Sequence, residues 1–162
     1  MTIAVYPGSF DPVTNGHLDI ATRASRIFDT VIMAVFDKPV SKKPLFNVAE
    51  RLELLREATI DLPHVQVDSY SILTVEYARQ KGAQVILRGM RSQSDFEPEF
   101  RMAQINRTIA PDVEIVMLMS DHAYTSFSSS TVRELALLGA DISWLVPSHV
   151  AVAVERMYGQ RA

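Results

Sequence analysis

Apolar residues recur along this chain in two different rhythms. Residues 3–6, 31–36, 65–67, 85–87 and 113–119 form short runs, several of them β-branched and with little polar alternation, the pattern of strands covered on both faces. Between them the spacing changes to that of a helix with one apolar face. Leu18, Ile20, Ala21, Ala24, Ile27 and Phe28 make the first such face. Leu52, Leu54, Leu55 and Ala58 make the second, behind Asn47 and Glu50, which are spaced as a capping box. A third helix is predicted over 72–80, closed by Gly82. Further helices are predicted over 95–107 with Pro98 in the first turn, from the serines at 128–130 to Gly139, and after Pro147 with fraying at Gly159. Strands and helices alternating in this way predict an α/β fold. The expected form is a single domain over residues 1–162, a doubly wound, five-stranded parallel sheet with helices on both faces.

The polar residues matter because of where they fall. The turn Gly8-Ser9-Phe10-Asp11-Pro12-Val13-Thr14-Asn15-Gly16-His17 follows the first strand and leads into a helix, so its backbone N–H groups lie where a phosphate can sit. Gly16 removes a side chain beside the helix start, and His17 adds an imidazole donor. Lys42 and Lys43 follow the second strand, in a polar connector over 37–46, and Thr74 lies on the helix after the third. Arg88, Gly89, Met90 and Arg91 follow the fourth; Tyr124 to Ser130 follow the fifth. Ligands of open α/β sheets bind outside the carboxyl ends of the strands, so five segments converge on one edge. Each also has a plainer reading. Ser9 and Thr14 are common turn and cap residues, His17 suits an exposed first turn, and Lys42 and Lys43 suit a solvated loop. Ser128, Ser129 and Ser130 can cap a helix, with Thr131 and Glu134 as a capping box. Arg88 and Arg91 are harder to explain this way, since a structural ion pair needs only one of them.

Composition narrows the field. Hydrophobic content of 48% and charged content of 22% are ordinary for a globular protein, and a net charge of −3 argues against a dedicated nucleic-acid binder. There is no cysteine, which excludes disulfides and cysteine zinc sites and suits a reducing cytoplasm. No signal peptide or membrane-length apolar stretch is present, so a cytoplasmic protein without a membrane partner is expected. The chain lacks Gly-x-x-x-x-Gly-Lys-Ser/Thr, so it is not a P-loop kinase; without Gly-x-Gly-x-x-Gly dinucleotide redox binding is unsupported, and no Gly-x-Ser-x-Gly nucleophile elbow is present. His64, His122 and His149 have no metal-ligand spacing, and no carboxylate cluster points to a protein-held metal.

Thr14-Asn15-Gly16-His17 resembles the Thr/His-x-Gly-His signature of the nucleotidylyltransferase superfamily, and Ser128-Ser129-Ser130-Thr131-Val132-Arg133 its second, serine-rich signature. Within that superfamily the chain resembles the bacterial phosphopantetheine adenylyltransferases. The resemblance runs through Tyr6-Pro7-Gly8-Ser9-Phe10-Asp11-Pro12, Ser41-Lys42-Lys43-Pro44, Leu87-Arg88-Gly89-Met90-Arg91, Asp95-Phe96-Glu97 with Glu99, and Ser128 to Ser130, in family order over nearly the whole chain. It implies a Rossmann-like nucleotidylyltransferase fold and reversible transfer of the adenylyl group of ATP to 4′-phosphopantetheine, giving dephospho-coenzyme A and pyrophosphate. Carried over by position, Ser9, Lys42, Thr74 and Arg88 would bind phosphopantetheine. Ser9, Phe10, His17, Gly89, Met90, Arg91, Glu99, Tyr124, Thr125, Ser126, Phe127, Ser128, Ser129 and Ser130 would surround ATP, with His17 as the transition-state stabiliser. The resemblance also implies a homohexamer, Mg²⁺ held mainly by the ATP phosphates, and feedback binding of coenzyme A. Pro98, Tyr124 and Phe127 depart from the family pattern and concern the shape of the adenine side.

Overall fold

The computed structural model describes residues 1–37 and 44–159. Strands β1 (Ile3–Gly8), β2 (Thr30–Phe36), β3 (Val65–Tyr70), β4 (Val85–Met90) and β5 (Glu114–Met119) form one sheet in the order β3-β2-β1-β4-β5. Every pairing is parallel, with Gly8 opposite Val35 on one side of β1 and Val5 opposite Ile86 on the other. The chain steps from β1 outward through β2 to β3, then crosses back over β1 to lay down β4 and β5. That reversal makes a topological switch point between β1 and β4, where the carboxyl ends of two adjacent strands lead to diverging connections.

Helices α1 (Asn15–Ala24), α2 (Val48–Ala58), α3 (Thr74–Gln80), α4 (Gln93–Ile109), α5 (Ser129–Leu137) and α6 (Ser148–Gly159) complete the fold, with one 3-10 turn at His122–Tyr124. The two-residue period of the strands divides the core. Ala4, Tyr6, Met33, Val35 and Leu87 pack with Ile20 and Ala24 of α1, Leu55 of α2, Val132 of α5 and Val150 of α6. Val5, Ile32, Ala34 and Ile86 point to the other face, against Val75, Tyr77 and Ala78 of α3. The expected doubly wound sheet is therefore formed by residues whose neighbours in sequence serve opposite layers. No helix among the described residues is long and apolar enough to cross a membrane.

The element ends differ from expectation where side-chain pattern and backbone bonding part company. β3 and β4 run three residues past their apolar runs, to Tyr70 and Met90, because ladder hydrogen bonds do not require apolar side chains. α1 begins at Asn15, capped by Thr14, and ends at Ala24, before Phe28. α4 begins at Gln93, so Pro98 is its sixth residue and lies beyond the first turn; the carbonyl of exposed Ser94 goes without its helical donor there. The α5 cap is Ser128, whose hydroxyl accepts from Thr131 N at 3.1 Å; Thr131 and Glu134 do not form the box.

Candidate active site

The turn after β1 is fixed by its own polar side chains. Thr14 caps α1, and His17, the third residue of the helix, reciprocates: Thr14 N donates to His17 Nδ1 at 3.0 Å while His17 N donates to Thr14 Oγ1 at 3.3 Å. An amide N–H can only donate, so Nδ1 is the unprotonated nitrogen and the proton resides on Nε2. The ring is held edge-on by Phe10, centroids 5.1 Å apart, and by Tyr6 at 6.4 Å. Burial, reinforced by the positive charges of Arg91 and Arg88, lowers the His17 pKa from 6.5 to about 4. Near neutral pH His17 is therefore an uncharged N–H donor rather than an imidazolium.

This has a consequence for stability. The folded chain holds His17 neutral where the unfolded chain would protonate it, so between these two pKa values the unfolded state binds more protons. The stabilisation is complete above pH 6.5 and is lost as pH falls toward 4. Urea titrations should show the parent losing stability relative to His17→Asn over this interval, by up to about 3 kcal/mol. Parallel profiles for the two proteins would contradict it.

The end of β4 supplies the cations. Arg88 binds Glu99 of α4 through Nε (2.7 Å) and Nη2, and its Nη1 donates to Pro7 O at 3.1 Å. Burial works against its charge, but the hydrogen bond and charge of Glu99 prevail and raise its pKa. Arg91 pairs with Asp95 at 3.2 Å, and its Nη1 donates to Phe127 O at 3.1 Å. Both arginines thus have a carboxylate partner, so the plainer structural reading, expected to account for only one of them, is open to each; both partners come from the first half of α4. Gly89 between them is closely packed: a Cβ there would lie 3.3 Å from Ile20 Cγ1 and 3.4 Å from the Tyr6 hydroxyl, so Ile20 would have to give slightly.

The third wall is the start of α5. Ser128 caps the helix and Ser129 Oγ donates to Pro12 O at 2.8 Å, tying α5 to the β1 turn. The helix N-terminus therefore faces the same cleft as the turn, with its positive dipole end toward it. Tyr124 closes over α1: a Cβ on Gly16 would lie 3.2 Å from Tyr124 Cβ, so a larger residue there would press on Tyr124.

These walls enclose a cleft of about 300 Å³ at the switch point, lined by Ser9, Phe10, His17, Arg88, Gly89, Arg91, Glu99, Tyr124, Phe127 and Ser128 to Ser130 among others. A second cavity of about 340 Å³, largely apolar, is lined by Phe36, Ile72, Leu73, Thr74, Met102 and Asn106. The two share Pro7, Arg88 and Glu99, so the Arg88 guanidinium, bonded to both of the others, stands in the wall between them. Thr74 belongs to the second cavity, its hydroxyl 2.9 Å from that of Tyr70. Met90, Thr125 and Ser126 flank the first cleft without lining it. Lys42 and Lys43 lie outside the described residues.

Sequence reading missed Tyr6, Ile20, Asp95 and Ser120, which also line the cleft. Tyr6 and Ile20 carry the apolar periodicity of core residues, so nothing in the pattern marks them. It also passed over Asp11, whose carboxylate accepts from Leu45 N (2.8 Å) and Phe46 N (2.9 Å) and from Arg133 Nη1 (2.7 Å). Arg133, the basic residue of the serine-rich signature, is thereby committed to the turn.

The cytidylyltransferase-like family pattern matches residues 5–135. A phosphopantetheine adenylyltransferase of Roseiflexus sp. (strain RS-1) is 68% identical over 161 residues, covering 99% of this chain and 100% of that protein. One from Chloroflexus aggregans is 57% identical, covering 99% of each chain. Among solved structures, one described as a nicotinate-nucleotide adenylyltransferase of Vibrio parahaemolyticus superposes with a TM-score of 0.69 at 17% identity, over 95% of this chain and 99% of that one. At that identity the likeness is one of fold.

Proposed function

The chain belongs to the phosphopantetheine adenylyltransferases, within the cytidylyltransferase-like family, and we propose that it transfers the adenylyl group of ATP to 4′-phosphopantetheine by direct in-line attack. The products are dephospho-coenzyme A and pyrophosphate. The observation that carries the mechanism is the pair of cavities meeting at Arg88, with a neutral histidine donor on the polar side. The apolar cavity suits the pantetheine arm and the polar cleft suits the nucleotide.

The nucleophile is a phosphate monoester, whose second pKa of about 6 leaves it largely dianionic at neutral pH. No general base is needed, and His17, already neutral with Nδ1 occupied, is unsuited to that role. Its Nε2–H would donate to a nonbridging oxygen of the α-phosphate as charge accumulates there. Arg88, at the junction, would hold the attacking phosphate against the repulsion of the triphosphate, with Ser9 and Lys42 as further ligands and Thr74 along the arm. Arg91 and the α5 N-terminus would stabilise the departing pyrophosphate. Among the described residues no group of His, Asp and Glu could by itself hold a metal, and the cleft carboxylates Asp95 and Glu99 are engaged by arginines. An Mg²⁺ would therefore ride on the ATP phosphates and neutralise charge on the leaving group.

A homohexamer is the assembly this reading carries, and α4 supports contact with another subunit without fixing the number. Its 17 residues include none that are buried, while Phe96, Phe100, Met102, Ile105 and Ile109 expose 45–52% of their surface, more than a lone helix on a sheet needs to leave uncovered. Coenzyme A, which contains the product's own moieties, would compete for the same two cavities.

Pyrophosphate release from ATP tests the activity. Release is expected with 4′-phosphopantetheine and at least a hundredfold slower with nicotinate mononucleotide, whose polar ribose and charged pyridine carboxylate do not match a largely apolar cavity. Equal rates would reassign the acceptor, and no release with either would leave a nucleotide-binding domain without catalysis.

A further inference from the structure

Arg51 of α2 has no role in the proposed reaction, yet it is the largest fully buried side chain among the described residues, 1% exposed. Its Nη1 donates to two carbonyls, Ser9 O at 2.9 Å and Phe36 O at 3.0 Å, while Nε and Nη2 have no hydrogen-bond partner among the described residues. A buried guanidinium with N–H groups idle among the described residues recovers only part of its desolvation cost from the bonds it does make. Burial lowers its pKa despite the favourable charges of Asp11 and Asp37. Stability alone is a poor explanation for an arginine here.

What Arg51 grips is the peptide joining Ser9 to Phe10. That peptide is trans, so drawing the Ser9 carbonyl toward α2 turns the Phe10 N–H the opposite way. Phe10 itself has φ +45°, a left-handed conformation that is strained for an aromatic residue and persists only where the surroundings impose it. Ser9 and Phe10 both line the polar cleft, and the Phe10 N–H forms no hydrogen bond among the described residues. We infer that Arg51 is a positioning residue for the phosphate site: its hold on the Ser9 carbonyl keeps the Phe10 N–H presented to the cleft as a donor for a substrate phosphate. On this reading the desolvation cost of a buried cation is retained because the left-handed turn it holds is part of the binding surface. This rests on the cleft being the nucleotide site.

The test uses Arg51→Met and Arg51→Lys in the full chain, assayed where circular dichroism shows each variant folded. Thermal unfolding, calorimetric titration with ATP alone, and steady-state pyrophosphate release are measured side by side. For Arg51→Met the expected result is a melting temperature lowered by the loss of a donor to the Ser9 and Phe36 carbonyls, with ATP affinity and kcat/KM each weakened at least tenfold at a temperature where the variant is folded. ATP affinity and kcat/KM within twofold of the parent would overturn the inference and make Arg51 a packing residue. If Arg51→Met does not fold, Arg51→Lys decides: a fivefold or greater kinetic loss at an unchanged melting temperature supports positioning, and parent-like kinetics refute it. The two readings separate cleanly. A parent that binds ATP in an Arg51-dependent way without releasing pyrophosphate would sink the proposed activity and leave this inference standing.

Discussion

Replacing His17 by alanine is expected to lower turnover by about 10²–10³ or more, the scale for removing a preorganised donor aimed at developing negative charge. The affinity for either substrate should change much less, because the donor's contribution grows only as the α-phosphate gains charge. The imidazole is prepared for this before any substrate arrives. Thr14 N–H fixes the tautomer, the Phe10 ring holds the plane, and burial with Arg91 and Arg88 keeps the ring uncharged. Alanine also removes half of the α1 capping box, a structural loss of about 1 kcal/mol. His17→Asn separates the two effects, since its amide can still accept from Thr14 N–H. Asparagine should recover melting temperature without recovering turnover. Single-turnover rates within tenfold of the parent for both variants would take His17 out of the chemical step.

The second large effect is on folding. Asp11→Ala should destabilise the chain by about 3–5 kcal/mol, the cost of breaking a buried charge pair. The carboxylate is 5% exposed and receives three donors from two distant segments: the backbone of Leu45 and Phe46, and Arg133 of α5. Alanine would leave all three without their acceptor in surroundings that water barely reaches. For a chain of this size the melting temperature should fall by about 6–20 °C. Asp11→Asn retains one acceptor oxygen but turns an NH₂ toward donors, so it should fall between the two. A shift under about 3 °C for the alanine variant would show that these donors find other partners.

The particular residues show what could be read from sequence. Strand runs and helix caps were legible because both are local: Asn47 and Glu50 form their box three residues apart, as their spacing predicts, and Gly82 and Gly139 take the left-handed φ that helix ends favour. The phosphate turn was legible for the same reason, since a strand, a short polar turn and a capped helix are contiguous. Element ends were misjudged where backbone bonding continued past the apolar run, as in β3 and β4. Asp11 was hidden because its donors are 34, 35 and 122 residues away. Arg51 was hidden because it sits in a helix next to glutamates and reads as an exposed cation, whereas the fold buries it beneath Ser9.

Sequence alone thus determined the α/β class, the strand-end placement of polar residues, and a histidine behind a glycine at a helix start. These depend on spacing within a dozen residues or so, which a linear pattern records. Only the tertiary structure decided that β4 lies beside β1, so that Arg88 and Arg91 face His17 across a switch point. A place at a helix N-terminus already disfavours the protonated form of that histidine, but the desolvation and the fields of two arginines that lower its pKa to about 4 arise from groups far apart in sequence. The identity of the phosphate-binding residues is written locally; their protonation, orientation and mutual distance follow from packing.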